Sequence, residues 1–458
     1  MSQNGFDRRA FLKTAQMTAL VGAVGAGSSL SAAADSATTP DGKFDFDTPY
    51  NRIGTNSIKW DAPMTQYGLS SIVAGMGVAD MDFRCAPSIT QALQERIKHE
   101  VWGYLDMPKN FVDGIVSWNK RRYGIDIPAD NVGITTGVHP GIVATLEAFC
   151  APGTNVMLTT PVYAGFYGDL QATGLVPNES LMKFANGRYS IDFDDFEKRI
   201  NRNTSAFILC NPHNPTGNMW SREDLTKLGE ICLRRRVLVL ADEIHCDFAT
   251  KGAKYVPFAS LENRDIVNNS ITFKAASKSF SLAAMKCAWF FSTNKDIADG
   301  AKKKNRADLS TLGMTAVRGA YAGGEEWLDQ CVSYLDGNHD FVQAYFKANN
   351  QMGGLMKMPA KAQGTYLTWV DATGLAEKIG AKQMAMEARK AKSGPDAATP
   401  PSPENMIERW VAKNARVAIV PGTPFGKGSD NHMRINIATS RQTLKAALDS
   451  ISAACKKA

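Results

Sequence analysis

The chain reads as an α/β protein: a large domain built on a mainly parallel sheet, followed by a smaller α+β domain. FILC (207–210) and VLVLAD (237–242) are continuous apolar runs bounded by turns, the pattern of strands covered on both faces. Between them, SREDLTKLGEICLRRR (221–236) opens on a serine cap with an acidic first turn and closes on basic residues, which predicts a crossover helix. After about 326 the rhythm changes. A long helical pattern, EEWLDQCVSYLDGNHDFVQAYF, leads to the strand-like TYLTWV (365–370) and later to RINIA (434–438).

Taken in order, the chain divides into an export signal (1–34), an N-terminal arm with part of the small domain (35–84), a large domain (85–325) and a C-terminal small domain (326–458). DRRAFLK (7–13) precedes a weakly apolar, Gly/Ala-rich segment ending in Ala32-Ala33-Ala34. A twin arginine before such a segment, with a small-residue cleavage site, predicts export to the periplasm by the Tat translocase, which carries folded proteins. Residues 40–75 are polar and poor in periodicity. The stretch 391–403, AKSGPDAATPPSP, is expected to be an exposed loop.

With 458 residues, 44% of them hydrophobic, the chain can bury a large core. A net charge of +7 spread along the sequence does not suit a nucleic-acid binder; the densest run, Lys302 to Lys304 with Arg306, reads as a solvated helix face. No apolar stretch beyond the N-terminus is long enough to span a membrane. The eight cysteines show no metal-binding spacing and, Cys85 aside, sit in apolar or mixed runs, as buried thiols do.

Four stretches surround a fifth, AASKSFSLAAMK (275–286), whose Lys278 lies between two serines. ITTGVHPGI (134–142) is a strand end, a glycine turn and a helix start, where backbone N–H groups favour a phosphate. NPHNPTG (211–217) fixes the backbone around Asn214 with two prolines; it is either an ordinary turn or the mount for an amide that donates to a phenolate. ADEIHCD (241–247) stands at the carboxyl end of an apolar strand, where ligands bind in open α/β sheets. Asp242 there suits a protonated pyridine nitrogen and His245 a phenolic oxygen, or else Asp242 caps a helix and His245 packs. HMRINIA (432–438) puts Arg434 on a strand, in a surface ion pair or as a bidentate carboxylate clamp.

The order of these motifs, with the lysine 36 residues after the aspartate, resembles the layout of fold-type I pyridoxal-phosphate (PLP) enzymes. VADMDF (78–83), WGY (102–104), NPHNPTG, DEIHCD, SKSFS, GAYAGGEEWLDQCVSYLDGN (319–338), GTYLTWVD (364–371) and VPGTPFGKG (420–428) narrow the resemblance to the MalY/PatB group, over about 45–445. That group consists chiefly of cystathionine or cysteine-conjugate β-lyases. The resemblance implies that Lys278 forms an imine with the cofactor and then takes the Cα proton, and that Asp242 holds the pyridinium proton. It implies that Asn214 and His245 contact the phenolic oxygen and that Tyr163 stacks on the ring. Gly137, Val138 and Ser277 are implied to hold the phosphate, with Tyr104 reaching it from the second subunit of a homodimer. Arg434 is implied to clamp the substrate carboxylate near the Ala79 backbone. Two positions depart from the pattern: Ala275 replaces a serine or threonine common three residues before the lysine, and Lys286 replaces a phosphate-binding arginine.

The expected reaction is C–S β-elimination on an amino-acid substrate, releasing pyruvate and ammonia. The alternative is a periplasmic aminotransferase, acting on an exported peptidic metabolite such as a siderophore. A more remote one is a non-catalytic protein on the same scaffold, against which an intact Lys278, Asp242 and Arg434 speak.

Overall fold

The computed structural model describes residues 42–391 and 401–458; the export signal predicted at 1–34 lies outside them, as do residues 392–400 of the expected loop. The chain divides into two compact units, Met1–Asp45 and Phe46–Ala458. The described part of the first, residues 42–45, forms no helix. Every strand among the described residues lies in the second unit.

In chain order these strands are β1 (Ala74–Gly75), β2 (Val132–Thr135), β3 (Asn155–Thr160), β4 (Val176–Leu181), β5 (Lys183–Ala185), β6 (Arg188–Ser190), β7 (Thr204–Cys210), β8 (Leu238–Asp242), β9 (Ser270–Lys274), β10 (Ala288–Phe291), β11 (Leu367–Asp371), β12 (Val417–Ala418), β13 (Val420–Pro421) and β14 (His432–Asn436). Seven form one sheet in the order β2-β10-β9-β8-β7-β3-β4. β10 runs antiparallel to both neighbours, and the pairings from β9 through to β4 are parallel. The run FILC ends β7, and VLVLAD is β8 with one residue before it. β7 and β8 are buried almost throughout, which is why they read as unbroken apolar runs.

The crossover helix predicted between them spans Arg222–Arg235 and starts as the sequence indicates. Ser221 accepts from the backbone N–H of Asp224, and the Asp224 carboxylate accepts from that of Ser221. On the other side of β2, the helix Val138–Phe149 buries Val138, Ile142 and Leu146, four residues apart, against Val156, Leu158, Ile208, Leu240, Ile271, Phe273 and Phe290. Each such side chain contributes roughly 1.5–3 kcal/mol by leaving water.

The long helix covers Glu325–Ala348. TYLTWV overlaps β11, which starts two residues later and ends one residue later, and RINIA overlaps β14, which lies two residues earlier; with β13 they form an antiparallel sheet. The polar N-terminal arm contains a short helix, Asp61–Tyr67. Beyond it, β1 pairs in parallel with β12, so residues 74–75 join the C-terminal part of the chain in a two-stranded sheet. The segment 76–82 continues from there as a strap across β14. Asn436 donates its backbone N–H to Met76 O (2.8 Å) and its amide to the carbonyls of Val78 (2.6 Å) and Asp80 (2.7 Å). In the stretch expected to be a loop, Ser402 instead caps a helix, Pro403–Ala415, by a capping box with Asn405. All eight cysteines are free thiols, buried except Cys85, and among the described residues no helix is long and apolar enough to cross a membrane.

Candidate active site

Strands β2, β3, β7, β8 and β9 all end at one edge of the large sheet, and their carboxyl ends open into a cavity of about 680 Å³. β8 delivers Asp242 and, just past it, Ile244 and His245. β7 delivers Cys210, paired with Asp242 in the ladder, and then Asn214. β9 runs into the short helix Ala276–Ser279, which carries Lys278. β2 leads to Gly137 and the start of the helix Val138–Phe149, and β3 to Tyr163. From the C-terminal sheet comes Arg434, and from the strap Val78 and Ala79. Ser277 and Lys286 complete the wall. The fold thus gathers eleven of the twelve expected site residues. Tyr104 is not among them: it stands fully exposed in a segment where Val101, Trp102, Leu105 and Met107 also face outward.

The electrostatics of the cavity are those of a site awaiting charged partners. Asp242 is sealed from water, and burial pushes its pKa up to about 6; the Ile244 N–H, which donates to Oδ1 at 3.1 Å, works the other way. Burial, helped by the positive charge of Arg434, brings Lys278 down to about 8, although Asp80 and Asp242 oppose it. Its amine donates to the carbonyl of Ala79 at 2.8 Å, an oxygen that also accepts from the Tyr366 hydroxyl at 2.9 Å.

Arg434 is buried, and burial lowers its pKa to about 10. Its guanidinium donates to Asn214 Oδ1 (3.2 Å) and Gly77 O (3.1 Å) and lies over the Phe425 ring. Among the described residues its Nε has no partner and no carboxylate faces it. A buried guanidinium lacking an anion is costly unless a ligand brings one. His245 is held neutral by burial and by Lys278 and Arg434, and its Nδ1 is likewise unpartnered. The bond from Arg434 occupies the Asn214 oxygen, leaving the NH2 as the donating end of that amide.

These features fit pyridoxal phosphate group by group. Asp242 matches a pyridinium N–H, and His245 and the Asn214 amide match a phenolic oxygen. The helix start at Gly137 and Val138, with Ser277 and the exposed Lys286, matches a phosphate. Lys286 sits in a left-handed conformation (φ 52°) at the end of a 3₁₀ turn. Ala275, the other departure, is buried at the N-cap of the Lys278 helix, without a side-chain cap. Two residues escaped the sequence reading. Tyr366 stands within the quoted GTYLTWVD, and His139 within GVHPG, but nothing local reveals the carbonyl or the carboxylate each one meets.

The chain belongs to the aminotransferase class I and II family, whose profile matches residues 71–451. Within it, the chain resembles carbon–sulfur lyases. It is 33% identical over 418 residues to cystathionine beta-lyase PatB of Bacillus subtilis, covering 89% of this chain and 99% of PatB. The crystal structure of cystalysin from Treponema denticola, which contains a pyridoxal 5'-phosphate cofactor, superimposes with a TM-score of 0.79 at 28% identity, covering 90% of this chain and 99% of cystalysin. The PLP-bound C-S lyase of Staphylococcus hominis does so with a TM-score of 0.75 at 27% identity, over 90% and 98% of the two chains.

Proposed function

We propose that the chain is a PLP-dependent C–S β-lyase that converts an L-cysteine S-conjugate such as cystathionine, with one water, to a thiol, pyruvate and ammonium. The observation that carries the reading is a single cavity holding a lysine at about 8, a buried carboxylate and a buried arginine without an anion. Bound there, the cofactor supplies an electron sink for charge developing at Cα.

The chain's own groups do the rest. Arg434 exchanges its bonds to Asn214 and Gly77 for the substrate carboxylate, which fixes Cα. Lys278, neutral in a useful fraction near pH 8, takes the Cα proton. Asp242 keeps a proton at the pyridine nitrogen. His245 and Asn214 would donate to the phenolic oxygen, and Tyr163 would pack on the ring. Gly137, Val138, Ser277 and Lys286 hold the phosphate. With a thioether sulfur on Cβ, loss of the Cα proton leads to cleavage of the Cβ–S bond, and the sulfur leaves as a thiolate.

The expectations on assembly and location enter as part of the same proposal. The protein acts as a homodimer in which Tyr104 of one copy reaches the phosphate site of the other, a role supported by its full exposure beside Val101 and Trp102. Residues 85–325 act as the large domain and 326–458 as the small one. The twin-arginine segment exports the folded protein through the Tat translocase to the periplasm, where a lyase needs no keto-acid co-substrate.

The test is a purified chain starting at Asp35, given PLP and L-cystathionine without keto acid, with pyruvate monitored by a coupled dehydrogenase. Sustained pyruvate release, abolished in Lys278→Ala, is expected. Turnover that appears only when a keto acid is added overturns elimination in favour of transamination.

A further inference from the structure

Two side chains at and behind the wall of the same cavity have no part in the reaction just described. His139, second residue of the helix Val138–Phe149, lines the cavity, and Asp169, on the helix Gly165–Thr173, is buried behind it. The His139 Nδ1 lies 2.7 Å from Asp169 Oδ2, and its Nε2 lies 3.3 Å from the Tyr163 hydroxyl. The two rings are 5.4 Å apart, inclined at 36°. A carboxylate against Nδ1 places a proton there, which leaves Nε2 to engage the tyrosine. Gly165 makes the arrangement sterically possible: a Cβ on it would stand 2.3 Å from His139 Cε1 and 2.7 Å from Tyr163 Cε1.

The charged groups acting on His139 are Asp169, Asp242 and Lys278. Burial disfavours its positive charge, but the hydrogen bond and charge of Asp169, with help from Asp242, outweigh burial and Lys278, so its pKa is raised. On Asp242, after burial and the Ile244 N–H, the next influence is His139, which favours the ionised carboxylate more than Asp169 disfavours it.

We propose that His139, held by Asp169, is a positioning residue: it fixes the Tyr163 ring that packs on the cofactor and, from the same cavity wall, acts on Asp242 beside the pyridine nitrogen. This rests on the reading that pyridoxal phosphate occupies the cavity.

The test uses the PLP-loaded enzyme and its His139→Gln, His139→Val, Asp169→Asn and His139→Val/Asp169→Asn variants. Without substrate, the pH midpoint of the cofactor's visible band is expected to move up by about half a pH unit or more in His139→Val, because one nearby positive charge is gone. His139→Gln keeps a partner for Tyr163 and is expected to retain cofactor affinity close to wild type while showing the same midpoint shift. Adding Asp169→Asn to His139→Val is expected to change kcat/KM less than twofold, because the two act as a unit. A second readout needs no cofactor: the NMR titration of the His139 ring in the apoprotein, whose midpoint is expected to fall in Asp169→Asn. If the visible-band midpoint, kcat and KM all stay at wild type in His139→Val, the pair is merely structural and the proposal is overturned. If the wild-type protein itself takes up no cofactor, the parent reading is what failed, and this role falls with it.

Discussion

Burial makes the charge on Asp242 costly until a ligand arrives. Its folded pKa, about 6, lies above the ordinary carboxylate value of 3.8, so the stabilising contribution of the protonated acid is full below pH 4 and is lost as pH rises through 6. At pH 7 the difference is on the order of 3 kcal/mol. Cofactor-free Asp242→Asn is therefore expected to melt above the cofactor-free wild type at pH 7, with the gap closing by pH 4, although the variant is inactive; thermal unfolding across that range measures it. Lys278 sets a second pH dependence. With an amine at about 8, uptake of the cofactor by apoprotein is expected to climb roughly tenfold per pH unit below 8 and level off above it, as stopped-flow absorbance would show. Arg434→Ala is expected to lower kcat/KM for L-cystathionine by about 10²–10³, mostly through KM, since a buried charge pair with the substrate carboxylate is lost.

At the scale of elements, the lysine's short helix is tied down by a residue the sequence reading passed over. Asp247 accepts from Ser279 Oγ (2.5 Å), from the Tyr123 hydroxyl (2.5 Å) and from Arg122 Nε (3.1 Å), joining the segment after β8 to the helix Lys109–Tyr123 and to the turn beside Lys278. Asp247→Asn is expected to cost about 1.5–3 kcal/mol in denaturant unfolding, the range for hydrogen bonds to a charged group, and to lower kcat more than it raises KM. Strand and helix identity was legible wherever an apolar run or a cap was continuous, as in β7, β8 and the Ser221-capped helix. The antiparallel direction of β10 was not, because AWFF carries the same apolar composition as its parallel neighbours. The one- and two-residue offsets at β11 and β14 have a related origin: strand ends are set by the partner's register, here Trp369 against Arg434, and not by composition.

For the whole molecule, the order of motifs along the chain announced the active site because all but that of Arg434 sit at strand ends on one edge of one sheet. His139 and Tyr366 stayed hidden. The partner of His139, Asp169, is 30 residues on, and Tyr366 meets a carbonyl 287 residues away. Assembly belongs to this scale too. Val101, Trp102 and Tyr104 form an exposed apolar run of the kind a second copy covers. Sedimentation is expected to give a dimer. Trp102→Asp is expected to shift it toward monomer with loss of activity, and Tyr104→Phe to leave the dimer intact with weakened cofactor retention.

One strand, β14, carries both Arg434, the proposed substrate clamp, and, through Asn436, the strap whose Ala79 carbonyl receives Lys278. Segments 76–82 and 432–438 therefore act as a matched pair. Transplanting either one from a relative is expected to give an inactive hybrid, and transplanting both to restore the enzyme.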